Sequence, residues 1–531
     1  MRSVGFSESD LLELGLALVF VALTWRRWIE PLGQRLAGRK GWSMALLASL
    51  PIVLRIALVP QYPIPTPNVS DDFSYLLIAD TLRHFRVANA VHPLHQFFET
   101  YFVLQEPSYA SIFPLGQGLI LMIGWAGVAL SIGALCALCY WMLRAWTSPG
   151  WALVGGLLAV IEFGPLSQWM NSYWGGAVAG CAGCLVFGAL PRLRDEGRAN
   201  YGALLGLGIG MSWLCRPYET IFLIVSILVY LLPTWRTMAK PAALAVVVVL
   251  PAIGISMLQN KQITGHWTTL PYQLSQYQYG VPTTFTFQEL PAPHHALTRE
   301  QQLDYEQQSQ VHEIAANYWQ RWVSRLRFYR FFFLAPLYLA IPPFLFRARE
   351  WRFAWVLITI VLFSLGTNFY PYFYSHYIAA LTCLFVLVSV IGLEQISRWS
   401  DPAARILLLL CAAHFLFWWG LHASRDNQLD AAMSQFETWD AINHGDPQGR
   451  IAIRHQLDDT FGRQLVFVRY WPQHRFEEWV HNAADIDHAR IVWARDLGSD
   501  ENQKLLRYYP DRTAWLLEPD ARPPRLRPYP R

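Results

Sequence analysis

Charge is what this sequence has least of: Asp, Glu, Lys and Arg make up 15% of its 531 residues, against about 25% in an ordinary soluble domain. With 53% of the chain hydrophobic, so little charge cannot wrap the apolar surface of one soluble core. That excludes a soluble globular enzyme, and a polytopic membrane protein is predicted instead. No nucleic-acid partner is expected. Inside the long apolar runs ionisable side chains are nearly missing, Arg55 and Glu162 being the exceptions, and no internal repeat stands out. Transporters keep ionisable groups near the bilayer midplane and often have related halves, so a transporter or flippase is the second reading of this chain and not the first. Cysteine is missing from every stretch between the apolar runs. All seven (Cys136, Cys139, Cys181, Cys184, Cys215, Cys383, Cys411) lie within them, so no disulfide staples an outer domain. Two C-x-x-C pairs have metal spacing but lack a neighbouring His or third thiol, so no metal site is expected from them and a divalent cofactor has no support.

Runs long enough to cross about 30 Å of hydrocarbon predict about 11–13 transmembrane or re-entrant α-helices. They fall near 11–28, 43–60, 113–146 (one long or two broken helices), 151–168, 175–190, 201–216, 218–233, 241–258, 331–346, 353–369, 377–396 and 404–421. Basic residues gather at 26–40, 192–198, 236–240, 347–352 and 398–405. All of these fall on one side if the helices alternate, which makes that side cytoplasmic. Leu11 to Trp25 is followed, not preceded, by basic residues, so a retained first span is expected and no cleavable signal. Residues 1–421 then form a transmembrane unit with outward loops at 61–112 and 259–330. Residues 422–531, rich in charge and free of long apolar runs, form a small soluble α/β domain on the outer side.

The polar chemistry gathers in the outward loops. Asn68-Val-Ser-Asp-Asp-Phe-Ser-Tyr75 follows Pro60, Pro63, Pro65 and Pro67, which end a helix and extend the chain. It is expected as an extended segment carrying two adjacent carboxylates, Asp71 and Asp72, at the lipid interface. Acids in that position are more often chemistry than scaffold. Leu94, Phe97, Phe98, Tyr101, Phe102 and Leu104 repeat at helical spacing and predict a helix lying on the bilayer, with His92, His95 and Glu99 on its polar face. Pro114, Gly116 and Gly118 predict a broken, re-entrant segment.

Asn171-Ser-Tyr-Trp-Gly-Gly176 offers an amide with Tyr173 and Trp174, suited to a sugar face or equally to an interfacial aromatic belt. Arg216, next to the helix breaker Pro217, can hold a phosphate diester or simply pair with Glu219. Lys261 and the group Arg325, Arg327 and Arg330 add outward positive charge, for an anionic headgroup or as snorkelling flanks. The Arg group closes a polar helix predicted over Thr298–Arg321. Tyr272, His376 and Tyr377 bring further hydroxyl and imidazole groups to the same rim. In the tail a helical stretch is expected over Asn427–Arg463 and another near Phe476–His481, with strands at Leu465–Tyr470, Arg490–Arg495 and Thr513–Leu517 and a helix at Ser499–Tyr508. Asp496 follows a strand at the end where open sheets bind ligands, without a Gly-rich loop beside it.

The order of these features, Asp71-Asp72 after an apolar span, Phe113-Pro-Leu-Gly116, Arg216-Pro217, Thr264-Gly265 leading to Pro271-Tyr272, and His376-Tyr377, resembles the GT-C glycosyltransferases. The branch it is similar to is the bacterial one that is like dolichyl-phosphate-mannose protein mannosyltransferases. The resemblance covers roughly residues 42–421 and implies a GT-C-like fold in a bacterial cytoplasmic membrane with its active site on the outer, periplasmic side. It implies transfer of a sugar from a polyprenyl-phosphate donor to an acceptor hydroxyl of unnamed class (lipid, polysaccharide or protein), with Asp71 as the base. That family has Asp-Glu where this chain has Asp-Asp. Several relatives carry a second acid in the next outward turn, which Asn171–Gly176 lacks. Displacing a lipid phosphate from an anomeric carbon needs a base for the acceptor proton and positive charge for the leaving phosphate. Asp71 or Asp72 suits the first role; Arg216, Lys261, Arg325, Arg327 and Arg330 are candidates for the second. A single displacement inverts the anomeric centre. The second reading, on this view, is a flippase of a lipid-linked saccharide.

Overall fold

In a computed structural model, the structure describes residues 15–19, 21–22, 30–67, 69–314, 317–424, 449–474 and 477–530. Six helices among them are long and apolar enough to cross a membrane: Trp125–Leu143, Ala177–Glu196, Pro217–Thr237, Ala239–Thr264, Ser375–Trp399 and Asp401–Ala423. Tyr318–Phe332 and Ala335–Arg347 pass the same test only together, bent by 109° as a broken span or a re-entrant loop, and Pro149–Phe163 and Trp351–Thr367 are shorter apolar helices. With Lys40–Ile56, Leu115–Leu121 and Asn200–Cys215, each apolar run beyond residue 42 forms helix within a few residues of its expected place. The run at 113–146 breaks where Gly124 takes φ +64°, a conformation that favours glycine. Most of the expected first span lies outside the described residues. The chain is a multi-pass membrane protein.

Burial sorts these helices into layers. The apolar windows of Ser375–Trp399 and Ala177–Glu196 are 94% and 89% buried, so these two form the centre, whereas that of Ala239–Thr264 is 17% buried and faces lipid. Lipid tails are as apolar as Leu, so helices associate through close packing of small residues. Gly202 and Gly206, one turn apart, lie directly against the backbone of Ala239–Thr264. A Cβ on them would stand 2.3 Å from the Pro241 carbonyl oxygen and 2.4 Å from that of Ala245.

Three outward segments depart from expectation. Asp71 and Asp72 do not sit on extended chain: the Pro-rich approach is non-helical, but a helix begins at Ser70 and runs to Arg83. The surface helix expected over 92–104 is absent. In its place are a 3-10 turn, His95–Phe98, and a hairpin of β1 (Val103–Leu104) with β2 (Ala110–Ser111), paired Val103 to Ser111. The polar helix expected over Thr298–Arg321 is two helices, Arg299–Ile314 and Tyr318–Arg325. The second starts at Asn317, whose Oδ1 accepts from the Trp319 and Gln320 N–H groups at 3.1 Å, a standard cap.

The C-terminal domain is a four-stranded sheet in the order β4 (Ile491–Arg495), β3 (Gln464–Val468), β5 (Thr513–Glu518), β6 (Arg525–Pro528). The first three strands are parallel, as expected; β6 adds an antiparallel edge. Leu465 and Phe467 pack to one face and Val466 and Val468 to the other, the period-2 alternation of a strand. The Ser499–Tyr508 helix stands where expected. Arg450–Asp459 is helical, while 427–447 lie outside the described residues. No helix forms over 477–481: the Trp479 and Val480 N–H groups instead donate to Glu478 Oε1 at 2.9 and 2.8 Å.

The Leu465 face explains the missing surface helix. Phe97, Phe98, Val103 and Tyr109 join Leu465, Phe467 and Val492 in one core, with Phe97 and Phe98 at 0% and 1% exposure. Burying each phenyl ring is worth roughly 1.5–3 kcal/mol, and the apolar side of this segment obtains it from the soluble domain, not from the bilayer. His92, expected on a solvated face, is buried there and meets the Tyr509 hydroxyl at 3.1 Å.

Candidate active site

The first outward helix presents its two carboxylates to different surroundings. Asp72 is 3% exposed. Its Oδ2 accepts from the Val69 N–H at 3.4 Å and its Oδ1 from the Tyr173 N–H at 2.8 Å. An acid in the first turn answers the unsatisfied N–H groups of a helix start, and here it also ties the first outward segment to the second. Asp71 is half-buried. Burial pushes its carboxyl up to about 7, the neighbouring Asp72 adds to the rise, the Arg216 guanidinium opposes it, and Asp304 adds a smaller push. One turn along the same face, Tyr75 stacks on Phe113 with ring centroids 4.6 Å apart.

Arg216 caps two helices at once. Its extended backbone, φ −145° and ψ 76°, separates Asn200–Cys215 from Pro217–Leu231, and Pro217 fills the first position of the second helix, where its missing N–H costs nothing. The break turns the guanidinium over the Tyr377 ring, 4.9 Å from its centroid, within electrostatic reach of Tyr75, Glu219 and Tyr370. Tyr75, Gln117, Trp174, Arg216 and His376 line a small open cleft. Trp174 stands 5.2 Å from the His376 ring and 5.7 Å from Tyr374. Tyr272 lies within electrostatic reach of both Arg216 and Asp71. The arrangement sets a carboxyl raised by burial within electrostatic reach of a permanent cation that lines an aromatic-walled cleft.

Other residues expected at the site are engaged elsewhere. The Asn171 amide is spent: Oδ1 accepts from Arg55 Nε at 2.8 Å, and Nδ2 donates to the Pro165 and Ser167 carbonyls at 3.0 and 2.8 Å. Tyr173 is buried and its hydroxyl donates to the Pro65 carbonyl at 2.8 Å. Lys261 is exposed and donates to the Gly265 carbonyl at 2.6 Å. Arg325 is buried and donates to the Thr367, Tyr370 and Pro371 carbonyls, so it braces the 370–377 turn that carries His376 and Tyr377. Arg327 and Arg330 are exposed, the former over the Phe328 ring. Asp496 pairs with Arg469 and accepts from Asn502 Nδ2 at 2.7 Å. No group of three or more His, Cys, Asp or Glu among the described residues could hold a metal ion.

Three residues at or beside this site were not foreseen as part of it. Tyr75 could have been found by its i, i+4 spacing from Asp71; Gln117 and Asp304 carry no local signal, because only the fold brings them here.

The fold is the GT-C-like one expected. It is shared with the crystal structure of ArnT from Cupriavidus metallidurans in the apo state, at a TM-score of 0.51 and 11% identity over 91% of this chain and 93% of that one. The same protein bound to undecaprenyl phosphate matches at 0.50 and 11%, over 90% and 93%. The archaeal oligosaccharyltransferase AglB from Archaeoglobus fulgidus, in complex with an inhibitory peptide and a dolichol-phosphate, matches at 0.45 and 12%, over 90% and 69%. No protein-family model matches the sequence, and no curated protein sequence does.

Proposed function

We propose that the chain is a membrane glycosyltransferase that moves a sugar from a polyprenyl-phosphate donor to an acceptor hydroxyl at the outer face of a bacterial cytoplasmic membrane. The observation that carries this reading is Asp71 within electrostatic reach of Arg216, the cation that lines the aromatic cleft, with burial pushing the Asp71 carboxyl up to about 7. A general base works best when its pKa lies near the working pH. Asp71 takes the acceptor proton as the acceptor oxygen attacks the anomeric carbon. The bond from that carbon to the phosphate oxygen breaks, and the electron pair leaves with the lipid phosphate, whose charge Arg216 receives. One displacement inverts the anomeric centre. Trp174, Tyr272, His376 and Tyr377 shape the sugar site, and Asp72 holds the first two outward segments together. Arg327 and Arg330 face anionic headgroups. The shared fold of ArnT bound to undecaprenyl phosphate supports a lipid phosphate as donor carrier.

The division at 421/422 follows the same reading, with residues 422–531 as an extracytoplasmic unit seated on the first outward segment. Asp80 Oδ2 accepts the Ala484 N–H at 2.7 Å, and Phe73 stacks on His481 at 3.8 Å. Lipid extraction and mass spectrometry of the purified protein test the donor assignment: a retained polyprenyl phosphate is expected, lost in Arg216→Ala. Equal retention by Arg216→Ala removes Arg216 from the donor site, and absence of any polyprenyl phosphate from the wild type, even after incubation with undecaprenyl phosphate, refutes the reading.

A further inference from the structure

A surface helix ordinarily buries an apolar stripe, but Arg299–Ile314 buries a largely polar one. Glu300, Gln301, Asp304 and Gln308 are all 6% exposed or less, and their spacing places them along one face. Most of this stripe has partners. Glu300 pairs with Arg495 at the end of β4, which pins the helix to the C-terminal domain. Gln301 Nε2 donates to Glu99 Oε2 at 3.2 Å. Gln308 works in both directions: its Nε2 donates to Asp304 Oδ2 at 2.9 Å, and its Oε1 accepts the Thr283 N–H at 2.8 Å.

Two side-chain oxygens on the residues this glutamine binds are left over. Asp304 Oδ1 and Thr283 Oγ1 have no hydrogen-bond partner, on residues 2% and 5% exposed. Buried polar atoms without partners are costly and few in folded proteins, and each one calls for an explanation. Their surroundings supply it. Asp304 is within electrostatic reach of Asp71, Tyr101 and Tyr372, so the bare pair belongs to the same outward region as the carboxyl that acts on the acceptor.

We propose that Asp304 and Thr283 form the acceptor subsite and that the acceptor is a saccharide, one of whose hydroxyls bridges Asp304 Oδ1 and Thr283 Oγ1 within electrostatic reach of Asp71. A sugar hydroxyl donates and accepts at once; a carboxylate accepts and a threonine hydroxyl does either, so one hydroxyl satisfies both atoms. The inference rests on the reading of Asp71 as base and adds the acceptor class to it.

The test uses the full chain in nanodiscs. Undecaprenyl phosphate is titrated alone, and methyl glycosides of hexoses, pentoses and N-acetylhexosamines are then titrated into discs already loaded with it. The wild type is expected to bind at least one glycoside, and Asp304→Asn and Thr283→Val are each expected to weaken that binding roughly 10-fold or more, as loss of a hydrogen bond to a charged group does. Undecaprenyl phosphate binding is expected to stay unchanged in both variants, which shows that each still folds. Intact undecaprenyl phosphate binding with no glycoside bound by the wild type overturns the subsite and leaves ordered water as the partner of the two oxygens. So does glycoside binding indifferent to both substitutions. Failure of the wild type to bind undecaprenyl phosphate sinks the donor reading instead; glycoside binding that still depends on Asp304 then keeps the subsite.

Discussion

Replacing Asp71 and Asp72 singly by Asn should move stability in opposite directions, although the residues are neighbours. Asp72 serves the fold: its carboxyl oxygens accept from Tyr173 and Val69. Hydrogen bonds to charged groups contribute roughly 1.5–3 kcal/mol, and loss of a helix cap costs about 0.5–2 kcal/mol. The Asn amide keeps one acceptor, so Asp72→Asn should destabilise by about 1–3 kcal/mol. Asp71 pays for burial of its charge. Moving from 3.8 to about 7 corresponds to roughly 4 kcal/mol at about 1.36 kcal/mol per pKa unit. The group is only half-buried, and solvent screening reduces this to the order of 1–2 kcal/mol. Above pH 7, where Asp71 must ionise, Asp71→Asn should therefore raise thermal stability while lowering transfer about 10²- to 10⁴-fold, the usual worth of a general base. Thermal unfolding in nanodiscs at pH 8, with undecaprenyl phosphate binding as the check on integrity, reads both signs. A melting temperature lowered equally by both substitutions, or unmoved by Asp72→Asn, refutes the division of labour between the two acids.

Both Asp71 and Asp304 are held near 7, each chiefly by burial. A carboxyl raised in the folded state keeps its proton where the unfolded chain loses it, so stability should fall as pH rises from about 4 to 7. Asp304→Asn should flatten that slope, and melting curves across the window that stay level in the wild type would contradict the burial of the two groups. Transfer should instead rise with pH through about 7, as Asp71 ionises; a rate that falls over that range would exclude it as the base. Gly206→Val forces a side chain against the Ala245 carbonyl and should separate Asn200–Cys215 from Ala239–Thr264, costing about 1–3 kcal/mol; unaltered melting would show that this packing is dispensable. A reporter placed after Arg531 should be active outside the cytoplasm and one at Gly197 inside, and the reverse result would put the proposed site in the wrong compartment.

What could be read along the chain is what depends on local composition. Transfer of a helix into lipid sums over its own side chains, so the runs from 43–60 to 404–421 announce themselves whatever they pack against. The same holds for β3, β4 and β5, whose short continuous apolar runs need only a sheet to lie in. Asp71 and Arg216 were legible because a membrane protein seldom leaves an acid or a guanidinium beside a helix break without use for it. The fate of an amphipathic segment is not local. The apolar residues at 94–104 fit a helix on the bilayer as well as a turn and hairpin under a soluble domain, and the second arrangement exists because Leu465, Phe467 and Val492 arrive from more than 350 residues away. Nor could spacing distinguish the five candidate cations. Arg325 is consumed by the carbonyls of the 370–377 turn and Lys261 by its own helix end, which leaves Arg216 at the cleft. The amides and acids went the same way: Asn171, Tyr173 and Asp72 became scaffold, while Asp304, in a helix that looked merely polar, came within electrostatic reach of Asp71. Hydropathy is additive along the chain, but whether a polar side chain is spent or available depends on which distant group reaches it first, and only the tertiary structure decides that.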